Sequence, residues 1–540
     1  MSNGKKLVAL ALATFIALIV VGAVWSGKGG DTTGAHTGTA ADVIASQGLT
    51  GDTVPPSQVG INAVANEVGH VRVAVNFSWL LMTGYLVLFM QVGFAFLVTG
   101  LTRAKNAAHM MMMNVAAFAI ALIAYYAVGF AFHFGGVGAI ANLGGTSPLN
   151  GLFPHGNSGL IGWHGFFLQS GHGYDVGVIG LFLFQVVFME TAGYIIIGAI
   201  AERISFAGFI VAELAMGAII YPIYGNWVWG GGWMAHLGQT LHWGHGAVDF
   251  AGSGVVHATG GWAALALAMV LGPRIGKFNS DGSPNAFPGH NIGYVVIGTM
   301  TLLFGWMGFN PGSTLGATDL RISIVAVNTL LSACFGFLTA MCYTNGKYGK
   351  PDISMSCNGM LAGLVAITAP CAFVAPWAAS IIGIVAGLLV CWGVYFFDHV
   401  AHVDDPCGAI SVHGLNGAWG VIAVGIFADG TYGSGWNGVS GDVKGLLYGD
   451  PGQLMAQIAH VMVGFVWAWG ITYLIFSGAK KVMAIRVSPE VELQGLDMPE
   501  FGTVCYPDFQ LVSHSDHIAH EAYQRMVSEA SPASPSGGTE

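Results

Sequence analysis

The chain has 540 residues, 54% of them hydrophobic and only 8% charged, with 82 glycines and a formal net charge of −10. A soluble domain carries about 25% charged residues, so this composition excludes an ordinary soluble enzyme and points to an integral membrane protein with closely packed helices. No basic patch suggests nucleic acid, and the seven cysteines, all at position 334 or later, include no CxxC pair that would suggest zinc or a disulfide framework.

In chain order, Lys5 and Lys6 precede the apolar run "LVALALATFIALIVVGAVW", and small residues follow. Residues 1–27 therefore read as a signal peptide cleaved near 22–27, with an uncleaved anchor as the alternative. Residues 28–75 are polar and are expected to form a loosely ordered exported extension. A membrane domain then runs over 76–479 and a cytoplasmic tail over 480–540. A spanning helix needs about 20 mostly apolar residues. Eleven stretches qualify, near 77–100, 109–132, 177–200, 205–223, 251–272, 291–310, 322–343, 356–374, 377–397, 409–428 and 456–477.

Arg103, Lys105, Arg203, Arg274, Lys277, Lys347, Lys350, Lys480 and Lys481 all follow odd-numbered spans, whereas 134–176 and 224–250 contain no Lys or Arg. Arg321 and Lys444 are exceptions. The positive-inside bias places the start of the membrane domain outside and the C-terminus in the cytoplasm of a multi-pass inner-membrane protein.

Two segments echo one another. "DFAGSGVVH" carries Asp249 and His257, and "DPCGAISVH" carries Asp405 and His413, each pair eight residues apart. At about 1.5 Å per residue each imidazole lies roughly 12 Å into its span, near the middle of a core about 30 Å thick. One enters from outside and the other from inside, as in two inverted five-helix repeats with the site between them. Each Asp is too far from its own His to bond it and reads as a helix N-cap; attracting cations at the outer mouth is the alternative for Asp249. An ionisable group within a membrane marks a functional site, and two neutral imidazoles can share one N–H···N bond.

"DFAGSGVVH", "VWGGG", "FGWMGFNPGS", "AERISF" and "VDDPCGAISVHG" occur in order and resemble the ammonium transporter family, Amt/Mep and distantly Rh, over roughly 77–505, as the Amt type. The resemblance implies an all-α protein of eleven transmembrane helices, two inverted five-helix repeats plus an eleventh helix, assembled as a homotrimer with one pore per subunit. It implies an outer recruitment site at Trp229, Ser313 and Asp249, and a phenylalanine gate at Phe188 and Phe309. It further implies a pore-side aromatic at Trp306 and pore histidines His257 and His413. Ammonium/ammonia is the implied substrate, with no cofactor, no metal and no enzymatic reaction, and a PII-family signal protein is an implied partner at the cytoplasmic face. A sensor that binds ammonium but hardly conducts is the alternative; it would call for a signalling domain larger than 511–540.

Several residues depart from the family pattern. Met189 and Glu190 follow "FQVVF" where small residues are usual, and Glu190 reads as a buried, hydrogen-bonded carboxylate or trimer contact, with an altered proton route as the alternative. Gly408 stands where a polar or acidic residue is common, which would loosen coupling at the inner end. The long loop 134–176 holds His155, His164 and His172, and 233–245 holds His236, His242 and His245. Their spacing fits no metal motif, so they read as solvated loop residues. In the tail, "GLD" (495–497) resembles the family's regulatory segment.

Overall fold

The computed structural model describes residues 59–135, 140, 142–144, 151–154, 156–157, 159–169, 175–509 and 514–530. The expected signal segment, His155 and His172 lie outside these. Among the described residues there are eleven apolar helices: α1 (Ala65–Leu101), α2 (Ala104–Phe134), α3 (Val176–Ile200), α4 (Phe206–Val228), α5 (Ser253–Leu271), α6 (Ile292–Gly312), α7 (Ile322–Tyr348), α8 (Ile353–Ile367), α9 (Pro376–His399), α10 (Ile410–Phe427) and α11 (Pro451–Val482). Ten are long enough to cross a bilayer alone, and α8 is shorter.

Two boundaries differ from expectation. The helix containing α1 starts at Val59, so the last part of the polar extension is helical. The span expected over 356–374 is helical only to Ile367, and turns complete it. There Asn328 of α7 donates to the carbonyls of Cys371 and Val374, replacing the lost helical bonds.

Helix pairing repeats with an offset of five: α1–α3 and α6–α8, α2–α4 and α7–α9, α3–α5 and α8–α10 all pack together. α5 is the central helix, 94% buried against 22% for α11. Large apolar side chains such as Phe304, Leu388, Trp392, Met462 and Val466 are exposed on the periphery. In lipid that is the favoured side for them.

The odd-numbered exits meet at one end in a buried ion network. Glu202 accepts from the backbone and side chain of Arg103, both at 2.6 Å, and lies 3.2 Å from Arg274. Arg274 forks onto Asp404 through Nε and Nη2 at 2.9 Å each, and Arg203 donates to the carbonyls of Gly272 and Asp404. Phe287 lies against both the Arg103 and Arg274 guanidiniums. The tail docks at the same end through α12 (Pro489–Gln494) and α13 (Asp497–Phe501). Asp497 of "GLD" accepts the backbone N–H groups of Ala108 and His109 at the start of α2, and Glu500 accepts that of Phe206 at the start of α4. Both carboxylates satisfy donors that a helix N-terminus leaves unpaired.

Burial alone would raise the Glu202 carboxyl, but Arg103 and Arg274 hold it down at about 2. Since its folded value is below the unfolded one of 4.5, its stabilisation is full above that value and is lost as pH falls towards about 2. Thermal melting of the purified protein should therefore weaken over that window, and less steeply in Glu202→Gln. Arg274→Ala, which strands two buried carboxylates, should cost on the order of 3–5 kcal/mol in the same measurement.

Candidate functional site

The opening of α5 and the opening of α10 are built alike. Asp249 accepts the N–H groups of Gly252 through Oδ1 (2.8 Å) and of Gly254 and Val255 through Oδ2 (2.9 Å each). Asp405 accepts those of Ala409 (3.0 Å) and Ile410 (2.7 Å). Three residues after each Asp stands a glycine in the left-handed region, Gly252 at φ +109° and Gly408 at φ +73°. A side chain there is strained by roughly 1–2 kcal/mol. At Gly408 this backbone demand by itself accounts for the glycine. Each helix then begins with a π-helical turn, Ser253–Ala258 and Ile410–Leu415, and each turn carries the histidine.

Small residues let the two turns touch. A Cβ on Gly261 would run into the backbone of Gly414, and one on Gly417 into the backbone of Ser253 and Ala258. Contact at that range faces His257 and His413 directly: their Nδ1 atoms are 3.3 Å apart and their ring centroids 5.3 Å. One nitrogen donates and the other accepts, so the neutral pair shares a single proton in this contact. His257 Nε2 is buried and has no hydrogen-bond partner among the described residues.

A column of rings leads outward from the pair. His257 stacks on Trp306 at 5.0 Å and on Phe309 at 5.3 Å, and Phe309 stacks on Phe188 at 4.0 Å. Trp306 is fixed by an Nε1 bond to Thr368 Oγ1 at 3.0 Å. Beyond Phe188 and Phe309 opens a cavity of about 210 Å³, lined among others by Gln185, Trp229, Phe250, Ser313 and Trp436. Trp229 donates its indole N–H to the Asp249 carbonyl at 2.7 Å, and Ser313 donates to the Phe309 carbonyl at 2.8 Å. Beside the opening of α10 lies a second cavity, about 170 Å³, lined by Asp405, Gly408, Ser411, Lys277 and Asp398 among others. Trp229, Ser313 and Phe188 line the first cavity, and Phe188, Phe309, Trp306, His257 and His413 follow in successive ring contacts.

Asp249 is buried beneath this line rather than in it, since its carboxylate is turned onto backbone N–H groups. The loop histidines do not converge. His236 and His245 each bond a backbone carbonyl, and among the described residues no three His, Cys, Asp or Glu side chains could hold a metal together. Glu190 is bonded between helices, by Gln91 of α1 at 3.4 Å.

Sequence reasoning missed His460. It is fully buried in α11, 4.0 Å from Asp249 Oδ2, against Gly254 of the π-helical turn and under the ring of Tyr224. A histidine inside an apolar span was the available signal.

The fold is that of a multi-pass helical membrane protein in which two histidines face one another beside two stacked phenylalanines. The sequence model of the Ammonium Transporter Family matches residues 78–506. The ammonium transporter Amt2 of Archaeoglobus fulgidus is 49% identical over 437 residues, covering 81% of this chain and 89% of that protein. Ammonium transporter 1 member 2 of Arabidopsis thaliana is 36% identical, covering 82% and 84%. Among solved structures, a "Sensor Amt Protein" superposes with TM-score 0.68 at 35% identity, covering 80% of this chain and 99% of that one. Mep2 of Saccharomyces cerevisiae gives 0.66 at 26%, covering 77% and 88%. The chain belongs to the ammonium transporter family.

If capping is what Asp249 does, Asp249→Ala should lower thermal stability more than Asp249→Asn, which keeps one acceptor oxygen. An equal loss in both would assign the effect to charge. Gly252→Ala should destabilise by about 1–2 kcal/mol from backbone strain alone, and more where its methyl meets Val256 and Trp229.

Proposed function

We propose that the protein moves ammonium across the membrane by recruiting the cation in the outer cavity, removing its proton at the phenylalanine pair and passing ammonia along the imidazoles. The observation that carries this reading is the placement of the 3.3 Å histidine contact directly beneath two stacked phenylalanines. The face of Trp229 attracts a cation by about 0.5–2 kcal/mol, Ser313 supplies a hydroxyl, and the Asp249 carboxylate beneath adds negative potential. That attraction holds for potassium as well. Past the rings the cost of an unhydrated ion is far larger, and only a cation that can shed its proton avoids it. The unpartnered Nε2 of His257 offers a hydrogen-bonding atom to ammonia in an otherwise apolar passage.

In this reading the two halves are inverted repeats, the subunits form a homotrimer with one pore each, and the chain is exported behind a cleaved signal peptide. The basic end faces the cytoplasm, where the tail could receive a PII-family protein. The likeness to a protein titled as a sensor favours one second reading, an ammonium receptor with little conduction.

Ammonium-evoked current in proteoliposomes, with potassium as control, separates the two. The transporter should pass current or alkalinise the lumen and ignore potassium, and should restore growth to cells that lack ammonium uptake. Replacing both histidines (His257→Ala with His413→Ala) should abolish transport or admit potassium. Unchanged uptake with unchanged potassium exclusion would remove the imidazoles from the pathway.

A further inference from the structure

Beside the pore, outside the column of rings, lie two carboxylates that the transport reading does not use. Glu190 of α3 is 2% exposed and Glu213 of α4 is fully buried. The Glu213 carboxylate rests on the backbone of Gly193, where a Cβ would strike Oε2. Gly193 is one turn from Glu190, and Tyr194, on the same face, completes the cluster. Glu190 Oε1, both oxygens of Glu213 and the hydroxyl of Tyr194 are buried without a hydrogen-bond partner. Among the described residues no ion pair joins either carboxylate to a cation; the single contact is the long one from the Gln91 amide.

We propose that Glu190 and Glu213 form a proton-binding site flanking the pore, the two carboxyls holding one proton between them. Two carboxylates side by side in a membrane interior cannot both stay ionised without a counter-charge. One shared proton leaves an O–H···O⁻ pair and satisfies oxygens that are otherwise orphaned. A bound metal or ammonium ion is the less suitable occupant, because the Glu213 carboxylate is already packed on backbone and a proton needs no extra room. The site communicates with the pore through one aromatic layer: the Tyr194 ring stacks on Phe94 at 5.5 Å, and Phe94 lies 6.4 Å from the His413 ring.

Other titratable groups on the surrounding helices include Tyr85 of α1, His109, Tyr125, Tyr126 and His133 of α2, Tyr221 and Tyr224 of α4, His257 of α5 and His413 of α10. Arg103 and Arg203, beyond the inner ends of α1 and α3, are engaged with Glu202 and Asp404. Protonation of the pair thus adds or removes a negative charge two aromatic rings away from His413, with no cation paired to it among the described residues. Resting on the transport reading, this makes conduction depend on pH through a group other than the imidazoles.

Infrared difference spectroscopy on the full protein in lipid tests the site without requiring transport. At neutral pH a carboxylic-acid carbonyl band should be present, should change in Glu190→Gln and in Glu213→Gln, and should vanish when both are replaced. A spectrum with ionised carboxylates only, unchanged in these variants, would overturn the proposal even if the protein transports ammonium normally. If it passes no ammonium at all, the infrared result still stands. In transporting liposomes the midpoint of the current's pH dependence should move by about one unit or more in Glu190→Gln. An unmoved midpoint would sever the pair from conduction.

Discussion

Everything at the centre of this molecule depends on two helices being allowed to touch backbone to backbone. α5 and α10 cross where Gly261 meets Gly414 and Gly417 meets the first turn of α5. In lipid, helices gain nothing from burying one apolar side chain rather than another, so close approach through small residues is a main source of association. Here that same approach has a chemical consequence. It brings in two imidazoles from opposite helix openings until their nitrogens are within hydrogen-bonding range, in a region with no water to satisfy them separately.

The rest of the architecture serves that crossing. Asp249 and Asp405 satisfy the backbone donors at the two openings, and Gly252 and Gly408 turn the chain into them. The π-helical turns add one residue to each opening, which rotates the histidine out of the regular helical register. Trp306 and Phe309 then pack against His257, so that ring, gate and imidazole are held as one unit. At the far end, the Arg103–Glu202–Arg274–Asp404 network joins segments following α1, α3, α5 and α9. Four helices are thereby tied together at the end where the smaller cavity lies, and Arg274 lines that cavity. The tail extends the tie, because its carboxylates cap α2 and α4.

Much of this was legible in the linear chain, because a bilayer restricts the choices so severely. Length and apolarity alone located eleven helices, and the basic residues that follow odd spans do gather at one end. The Asp–x₇–His echo marked the two openings because a polar side chain within an apolar run has few neutral explanations. The bounds of α8 were missed because Asn328, from another helix, takes over the bonds that a continued helix would have made. His460 was overlooked because its neighbour Asp249 is more than two hundred positions away.

The sequence by itself determined the class of the molecule, the number of its apolar helices, the two like helix openings that carry His257 and His413 and, through ordered motifs, its family. These follow from composition and local spacing, which the hydrophobic core of a membrane reads directly. Tertiary structure alone decided which atoms meet: Nδ1 against Nδ1, Glu213 against the turn that carries Glu190, Asp497 on the start of α2. Such contacts join residues that are far apart in the chain, and their geometry is set by how closely helix backbones can pack.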